Sequence, residues 1–144
     1  MVFKNKKFLL ERINKCPFNL HNQIHAMEVN EGYSVVVATL TEDSVNIWGL
    51  PHGGLLFSLG DVAAGLAGQS FGDKQVVTTS SNMNFLQKPH VSKCGRLTAT
   101  ARVLRSTRSL GFFRVDIQDE ENNLIATGEF VMYYATGANI STEE

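Results

Sequence analysis

The chain has 144 residues, of which 43% are hydrophobic and 19% are charged, and its formal net charge is −1. This length and composition predict one folded domain over residues 1–144 and exclude disorder as the state of the whole chain. The nearly balanced charge gives no indication of nucleic-acid binding.

The N-terminal residues and the two cysteines bear on the cellular compartment of the protein. Residues 4–7 include three lysines, but the apolar run 8–10 is too short for a signal peptide or a membrane span. Cys16 and Cys94 have no metal-binding spacing and fit free thiols in a reducing compartment. We therefore expect a cytoplasmic protein without a membrane partner.

Residues 1–28 are predicted to form an N-terminal helix and loop. Within them, residues 3–14 have the spacing of a short amphipathic helix that ends before Pro17. His21 and His25 are four residues apart, a spacing that can hold a metal on a helix. Because Pro17 favours a loop here and no third ligand is nearby, we predict no metal site.

The longest apolar stretch of the chain follows the turn formers Gly49 and Pro51 and predicts a buried α-helix of about five turns. One acid, Asp61, interrupts this stretch and points away from its leucine face. Glycines share the side of Asp61, which suggests the close approach of another backbone or a ligand. Helix chemistry alone leaves two roles open for Asp61: a buried capping residue, or a reactive carboxylate beside a substrate.

Five strands are predicted, and all but the first follow the long helix. Short polar turns join the later ones, so they are expected to pair antiparallel. A sheet of this size has one face to bury, and only the long helix is big enough to cover it. The sequence therefore predicts an α+β fold with a curved antiparallel sheet around a central helix, and residues 137–144 are expected to be a flexible tail. The predicted strands are 32–40, 76–86, 97–104, 110–118 and 124–134.

A long helix wrapped by a curved antiparallel sheet is the hotdog fold. Within it, Asn46, His52-Gly53-Gly54 and Asp61 form the pattern N-x5-H-G-G-x6-D, which resembles the acyl-CoA thioesterases of the phenylacetyl-CoA (PaaI) type. The resemblance continues through weaker pieces and covers roughly residues 30–135, most of the chain. The weaker pieces are 82–86 with Pro89, the 105–109 turn and Ala126-Thr127-Gly128.

The resemblance implies a role for each of these residues. Asp61 is the nucleophile or general base, and the Gly53 backbone N–H binds the thioester oxygen. Asn46 polarises the carbonyl or orients water, and His52 supports the loop or the leaving group. A hydroxyl on the strand after the helix is expected beside the acid, and we favour Thr78 over Thr79. Several related thioesterases carry Glu where this chain has Asp61, which argues against the hydroxybenzoyl and dihydroxynaphthoyl branches.

The implied chemistry is sensible on physical grounds. Thioester hydrolysis needs a donor for the developing oxyanion and a base or nucleophile opposite it. A helix N-terminus supplies unpaired N–H groups, and glycine there lets a carbonyl approach closely. Neither a metal nor a cofactor is required, since coenzyme A is part of the substrate.

Cations near two turns are candidates for binding coenzyme A. Arg105 and Arg108 flank one turn, and Lys88 stands before Pro89. They could hold the phosphates of coenzyme A, although charged turn residues are more often simply solvated.

The predicted function is an acyl-CoA thioesterase acting on an aryl- or medium-chain acyl-CoA. Two alternatives remain open at this point: a non-catalytic acyl-CoA binder or sensor, and a hotdog enoyl-CoA hydratase or dehydratase. Asp61 and Asn46 favour the enzyme over the binder, because a sensor could keep the site without the acid.

Helix geometry predicts an assembly. Gly53 and Asp61 are eight residues apart, roughly 12 Å along a helix, yet both must lie within about 3 Å of one thioester. One chain cannot place them so. We therefore predict a homodimer with two shared sites, each taking Asn46, His52 and Gly53 from one chain and Asp61 and Thr78 from the other. A dimer of dimers is implied by the resemblance alone.

Overall fold

The computed structural model describes residues 5–91 and 95–135. Residues 1–4, 92–94 and 136–144 lie outside the described residues. The predicted flexible tail, 137–144, and the predicted free thiol of Cys94 therefore also lie outside them. Two helices and two strands precede a 3-10 turn at Glu42–Ser44, and a long helix is followed by four strands. The elements are α1 (Lys6–Lys15), α2 (Pro17–His21), β1 (Ile24–Asn30), β2 (Tyr33–Thr39), α3 (Gly53–Gln69), β3 (Gln75–Phe85), β4 (Arg96–Ser106), β5 (Leu110–Gln118) and β6 (Leu124–Ala135).

The described strands form one antiparallel sheet in the order β1-β2-β4-β5-β6-β3, and α3 packs against its inner face. Leu59 and Leu66 of α3 are fully buried against Leu97, Phe113 and Phe130 of the sheet. This is the hotdog architecture that the sequence predicted. No helix in the described part of the chain is both long enough and apolar enough to cross a membrane.

The prediction of a loop at the end of residues 1–28 was wrong, because Ile24–Asn30 is an edge strand. The described residues therefore form a sheet of six strands rather than the predicted five. Ile24, Ala26 and Val29 are buried, and a register shift separates Ala26 from Glu28. This bulge at Met27 breaks the two-residue alternation that reveals a strand in a sequence. Before it, α2 starts with proline in its first turn, where the missing N–H costs nothing.

A second bulge lies in β3 and changes which of its side chains face α3. The pairing with β6 shifts between Thr78 and Ser80, so that Thr79 is the extra residue. Before the bulge, Thr78 faces the helix. After it the parity changes, and Met83 and Phe85 lie against Gly60 and Gly53. Both halves of β3 therefore contact the same helix.

The glycines of α3 differ in what surrounds them. A methyl group at Gly60 would come within 2.7 Å of Met83 Cε, and one at Gly68 would lie 3.1 Å from Val76 Cγ1. These two glycines let side chains of the sheet approach the helix closely. At Gly65, one turn beyond Asp61, a methyl group would meet nothing within 4 Å. Packing among the described residues does not explain a glycine there.

Candidate active site

The carboxylate of Asp61 meets the hydroxyl of Thr78, which donates a hydrogen bond to Asp61 Oδ1. Asp61 lies half-buried on α3, and Thr78 is on the first half of β3, next to the bulge. Thr78 Oγ1 also lies 3.4 Å from Met132 Sδ of β6. Of the two hydroxyls weighed from the sequence, Thr78 is therefore the one beside the acid, and Thr79 is the bulged residue.

A groove of about 470 Å³ opens over Asp61 and Thr78. Most of its walls are apolar, and Asp61 is the one charged group among its described lining residues. α1 and α2 form one side and α3 the other, with β3 and β6 at the base. The lining residues are Ile13, Cys16, Phe18, Asn19, Phe57, Ser58, Asp61, Val62, Gly65, Leu66, Gln69, Val76, Thr78 and Met132.

The start of α3 leaves one backbone donor unpaired. His52 is the N-cap, and its Nδ1 accepts a hydrogen bond from the Gly54 N–H at 2.8 Å. The N–H groups of Leu55 and Leu56 donate to the His52 carbonyl at 3.0 and 3.2 Å. Within residues 5–91 and 95–135, the Gly53 N–H has no hydrogen-bond partner. Because Nδ1 accepts, a neutral His52 carries its proton on Nε2.

Asn46 holds the loop that precedes α3. Its Oδ1 accepts hydrogen bonds from the N–H groups of Trp48 at 2.9 Å and Leu50 at 3.1 Å. The amide NH₂ of Asn46 remains available for a ligand, since it donates to no group in the described part of the chain. A hollow of about 480 Å³ lies here, lined by Val45, Asn46, Ile47, Trp48 and His52.

The two halves of the predicted site do not meet within one chain. Gly53 lies beside Phe85, at the end of β3, whereas Asp61 pairs with Thr78 in its first half. Eight residues of helix separate the two groups by roughly 12 Å. The structure thus brings together Asp61 with Thr78, and His52 with Gly53, as two separate sets.

The three candidate cations also lie apart. Arg105 and Arg108 are exposed at the β4–β5 hairpin, where Lys74 Nζ donates to the Arg108 carbonyl at 2.8 Å. Lys88 follows the opposite end of β3. Neither Lys74 beside Arg108 nor the side of the groove built by α1 and α2 was predicted from the sequence. No sequence motif indicates these two features, because the positions of both depend on tertiary contacts.

The most buried carboxylate of the described chain, Asp119, is structural. It is 4% exposed and accepts hydrogen bonds from the N–H groups of His90, Glu121 and Asn123, and from the Asn123 amide. Burial alone raises the pKa of Asp119, but these hydrogen bonds outweigh it and hold the pKa below its ordinary value. Asp119 therefore fastens the β5–β6 turn to the segment after β3.

The predicted absence of a metal site stays a prediction. His21 ends α2 and His25 lies on β1, and no group of three His, Cys, Asp or Glu residues suited to a metal occurs among the residues described here.

Comparisons with known proteins agree on one family. The family model of the thioesterase superfamily matches residues 49–126, which include His52, Gly53, Asp61 and Thr78. The acyl-coenzyme A thioesterase PaaI of Escherichia coli K12 is 31% identical over 103 residues, 72% of this chain and 71% of that protein.

Solved structures agree on the fold. The E. coli PaaI protein from the phenylacetic acid degradation operon has a TM-score of 0.81 at 26% identity, covering 88% of this chain and 90% of that one. A Streptococcus pneumoniae TIGR4 protein described as a hypothetical thioesterase with coenzyme A has a TM-score of 0.77 at 25% identity, covering 88% and 96%.

Proposed function

This chain belongs to the thioesterase superfamily, and we propose that it hydrolyses acyl-CoA thioesters carrying an aryl or medium-chain acyl group. The observation that carries the proposal is the pairing of Asp61 with Thr78 in a groove whose walls are mostly apolar. A carboxylate with one hydroxyl donor, beside space for an apolar group, suits attack on an acyl carbonyl. The coenzyme A seen with the S. pneumoniae relative supports the choice of thioester.

In the proposed reaction, water adds to the thioester and the C–S bond breaks, giving a carboxylate, a proton and the thiol of coenzyme A. Asp61 either attacks the carbonyl carbon itself or removes a proton from the attacking water. The Gly53 N–H and the Asn46 amide donate to the developing oxyanion. His52 fixes the start of α3 through Nδ1 and keeps its Nε2–H for the departing sulfur.

A single turnover in ¹⁸O-labelled water tests direct attack by Asp61. Direct attack forms a mixed anhydride, and its hydrolysis at the Asp61 carbonyl carbon leaves the label in the Asp61 carboxylate, which general-base catalysis never does. Label in the product acid alone fits general-base catalysis or hydrolysis of the anhydride at its acyl carbon. Mass spectrometry of the peptide that contains Asp61 measures the difference.

The central test is release of free thiol over a panel of aryl-acyl and fatty acyl-CoA thioesters. Asp61→Asn is expected to lower kcat by at least about a hundredfold, because it removes the base or nucleophile. Asp73→Asn, in the exposed turn after α3, is the matched control and should keep wild-type turnover. We expect no metal or cofactor requirement, so EDTA should have no effect.

Three results would contradict the proposal. Binding of acyl-CoA without thiol release, seen by calorimetry, would identify a binder or sensor. Hydration of an enoyl-CoA without thiol release would identify a hydratase. Equal turnover by wild type and Asp61→Asn would remove the role given to Asp61.

We propose that the active unit is a homodimer with shared sites, since Gly53 and Asp61 are too far apart in one chain. The open position at Gly65 supports this, because it leaves room for a second helix beside Asp61. The two sheet edges also differ. Asn14 hydrogen-bonds the backbone of Ala26 on β1, whereas most of β3 is exposed in the described chain. An exposed eleven-residue edge strand is a natural surface for pairing.

Mixed dimers test the shared site. Chains with Asn46→Ala and chains with Asp61→Ala should each be nearly inactive alone. Co-expressed and purified as mixed dimers, they should regain one intact site of the two. Mixed dimers as inactive as either parent would refute sharing. Light scattering on the wild type would show whether dimers pair further into the tetramer that the resemblance implies.

The proposed dimer also reconciles the separated cations. We propose that Lys88 reaches the shared site from the chain that supplies Gly53, and that Arg105 and Arg108 reach it from the chain that supplies Asp61. We propose that they hold the phosphates of coenzyme A. Arg105→Ala and Arg108→Ala should raise KM more than they lower kcat, and the effect should shrink at high salt.

A further inference from the structure

The loop before α3 carries the most exposed apolar side chains among the described residues. Ile47 is 90% exposed, Trp48 is 77% exposed and Val45 is 41% exposed. A single exposed apolar residue is ordinary, whereas neighbouring ones form a patch that marks a contact surface. Residues 44–51 contain no charged side chain, so this loop offers a partner no salt bridge. We therefore expect the surface that covers the loop to be apolar.

Backbone hydrogen bonds hold this loop in one shape. The Asn46 N–H donates to the Leu50 carbonyl at 2.8 Å, and the Gly49 N–H donates to the Asn46 carbonyl at 3.0 Å. Gly49 turns the chain at φ 74°, a left-handed conformation that glycine adopts without steric cost. Trp48 lines the same hollow as Asn46 and His52. A partner surface that meets Asn46 therefore also meets Trp48.

The groove over Asp61 lacks a wall. Phe57 forms one side, with its ring centroid 5.3 Å from that of Phe130, and most of the lining is apolar. At Gly65, one turn after Asp61, an added methyl group would meet nothing within 4 Å. The described residues of the chain therefore leave the groove open at this end.

The proposed dimer brings the loop and the groove together. Two antiparallel copies of α3 set Gly53 of one chain beside Asp61 of its partner. The loop precedes Gly53 and Gly65 follows Asp61, so this arrangement directs the loop towards the open end of the partner's groove. Because a two-fold axis repeats each contact, both loops and both grooves are covered at once.

We propose that Trp48 of one chain forms the missing wall of the groove over the partner's Asp61, and that the acyl group binds between them. This inference rests on the proposed thioesterase function and on its shared sites. The indole gives the pocket a flat apolar face on which an aryl group can stack. The wall also excludes water from Asp61, and hydrogen bonds to a developing oxyanion are stronger in a site without water.

The chain contains one tryptophan, so its fluorescence reports on Trp48 alone. An indole that is 77% exposed should be quenched by acrylamide almost as fast as N-acetyltryptophanamide. The proposed wall should be quenched several times more slowly and should emit at a shorter wavelength. Quenching at the rate of the free compound, or a sample that light scattering shows to be monomeric, would overturn the inference. This measurement needs no turnover.

Turnover tests whether Trp48 contacts the acyl group. Trp48→Ala should lower kcat/KM for phenylacetyl-CoA by about two- to tenfold, relative to the shortest straight-chain thioester that is hydrolysed. Trp48→Phe keeps an aromatic wall and should lose less. Both variants should fold, because the hydrogen bond from position 48 to Asn46 Oδ1 comes from the backbone, and thermal unfolding would confirm it.

Met27→Ala is the matched control. Met27 is 50% exposed on β1, at the opposite edge of the sheet from β3, and lines neither the groove over Asp61 nor the hollow beside Asn46. Its ratio of kcat/KM values should equal that of the wild type. A ratio unchanged in both Trp48 variants, or lowered equally by Met27→Ala, would overturn the inference and leave the proposed function intact.

Two mixed dimers decide which chain supplies the wall. A Trp48→Ala chain paired with an Asp61→Ala chain keeps one live site, in which Trp48 and Asp61 come from different chains and both are intact. It should show wild-type selectivity. A chain with both substitutions, paired with wild type, keeps one live site that lacks the wall and should show the selectivity of Trp48→Ala.

The reverse pattern would place Trp48 beside Asp61 of its own chain, and equal selectivity of the two mixed dimers would show no contact with the acyl group. Either result would overturn the inference. A wild type that releases thiol from no thioester would remove the proposed function together with the acyl site, whereas slow quenching would still show that a partner covers Trp48.

Discussion

Replacing Gly53 with proline is a sharp test of the proposed oxyanion site, because it deletes one N–H and no existing hydrogen bond. Gly53 is the first helical residue of α3, where proline is well tolerated. The preceding residue, His52, has φ −66° and ψ 135°, which is the extended conformation that proline demands of its predecessor. The fold should therefore accept the substitution.

Gly53→Pro should lower kcat strongly and should not lower the free energy of unfolding. Removing one oxyanion donor typically lowers kcat by about 10²–10³-fold, or roughly 2.7–4 kcal/mol. Proline at a compatible position reduces the entropy of the unfolded chain, so the free energy of unfolding should stay level or rise by about 0.4–1 kcal/mol. A misfolded variant would lose both kcat and stability, whereas Gly53→Pro should lose kcat while its free energy of unfolding stays level or rises.

The assay is kcat on the best thioester of the panel, with thermal unfolding measured in parallel. Gly53→Ala is the control, because it keeps the N–H and its methyl group would lie 3.7 Å from the Phe85 ring, an ordinary contact. Gly53→Pro with wild-type kcat would show that this N–H is not the donor. Gly53→Ala as inactive as Gly53→Pro would show that bulk, and not the missing N–H, causes the loss.

Three further substitutions have defined outcomes. Thr78→Val removes the hydroxyl that donates to Asp61 and should lower kcat about tenfold or more. The control Thr79→Val, in the bulge, should keep kcat, and equal effects of the two variants would contradict the role of the Thr78–Asp61 hydrogen bond. Gly128→Ala places a methyl group against the Asn82 carbonyl oxygen on β3 and should lower the free energy of unfolding by about 2 kcal/mol or more in urea titrations; an unchanged midpoint would refute this. Asp119 has a lowered pKa in the folded state, so its stabilisation is present above about pH 4 and is lost as pH falls through the folded-state pKa. Asp119→Asn should therefore be less stable than wild type at pH 7, and the gap in urea midpoint should close towards pH 2; a constant gap would argue against the carboxylate.

The sequence predicted secondary structure best where the spacing of apolar residues stays regular along a whole helix or strand. The leucines of α3 repeat at helical spacing, and β5 alternates between buried residues and residues that are partly buried or exposed. In β1 the bulge at Met27 puts two exposed residues in succession, so the alternation fails and the strand is missed. Local pattern predicts an element only while its geometry stays regular.

The candidate site was predictable in its residues and not in its surroundings. The spacing of His52, Gly53 and Asp61 is a property of one segment, and the sequence presents it directly. The wall that carries Phe18 is different, because α2 reaches Asp61 only through the packing of α1, α2 and β1 around the sheet. Nothing within residues 17–21 indicates which part of the chain they face.

The bulge at Thr79 makes the length of β3 matter as much as its composition. Up to Thr78, the even-numbered side chains of β3 face α3, whereas from Ser81 onward the odd-numbered ones do. The one extra residue, Thr79, causes this change. If all eleven residues of β3 paired regularly, without the bulge at Thr79, the strand would keep one phase throughout and only one of its halves could then face α3. Either the Thr78 hydroxyl would turn away from Asp61, or Met83 and Phe85 would leave the helix. Grafting this site onto another hotdog sheet would therefore require transplanting the irregularity together with the side chains.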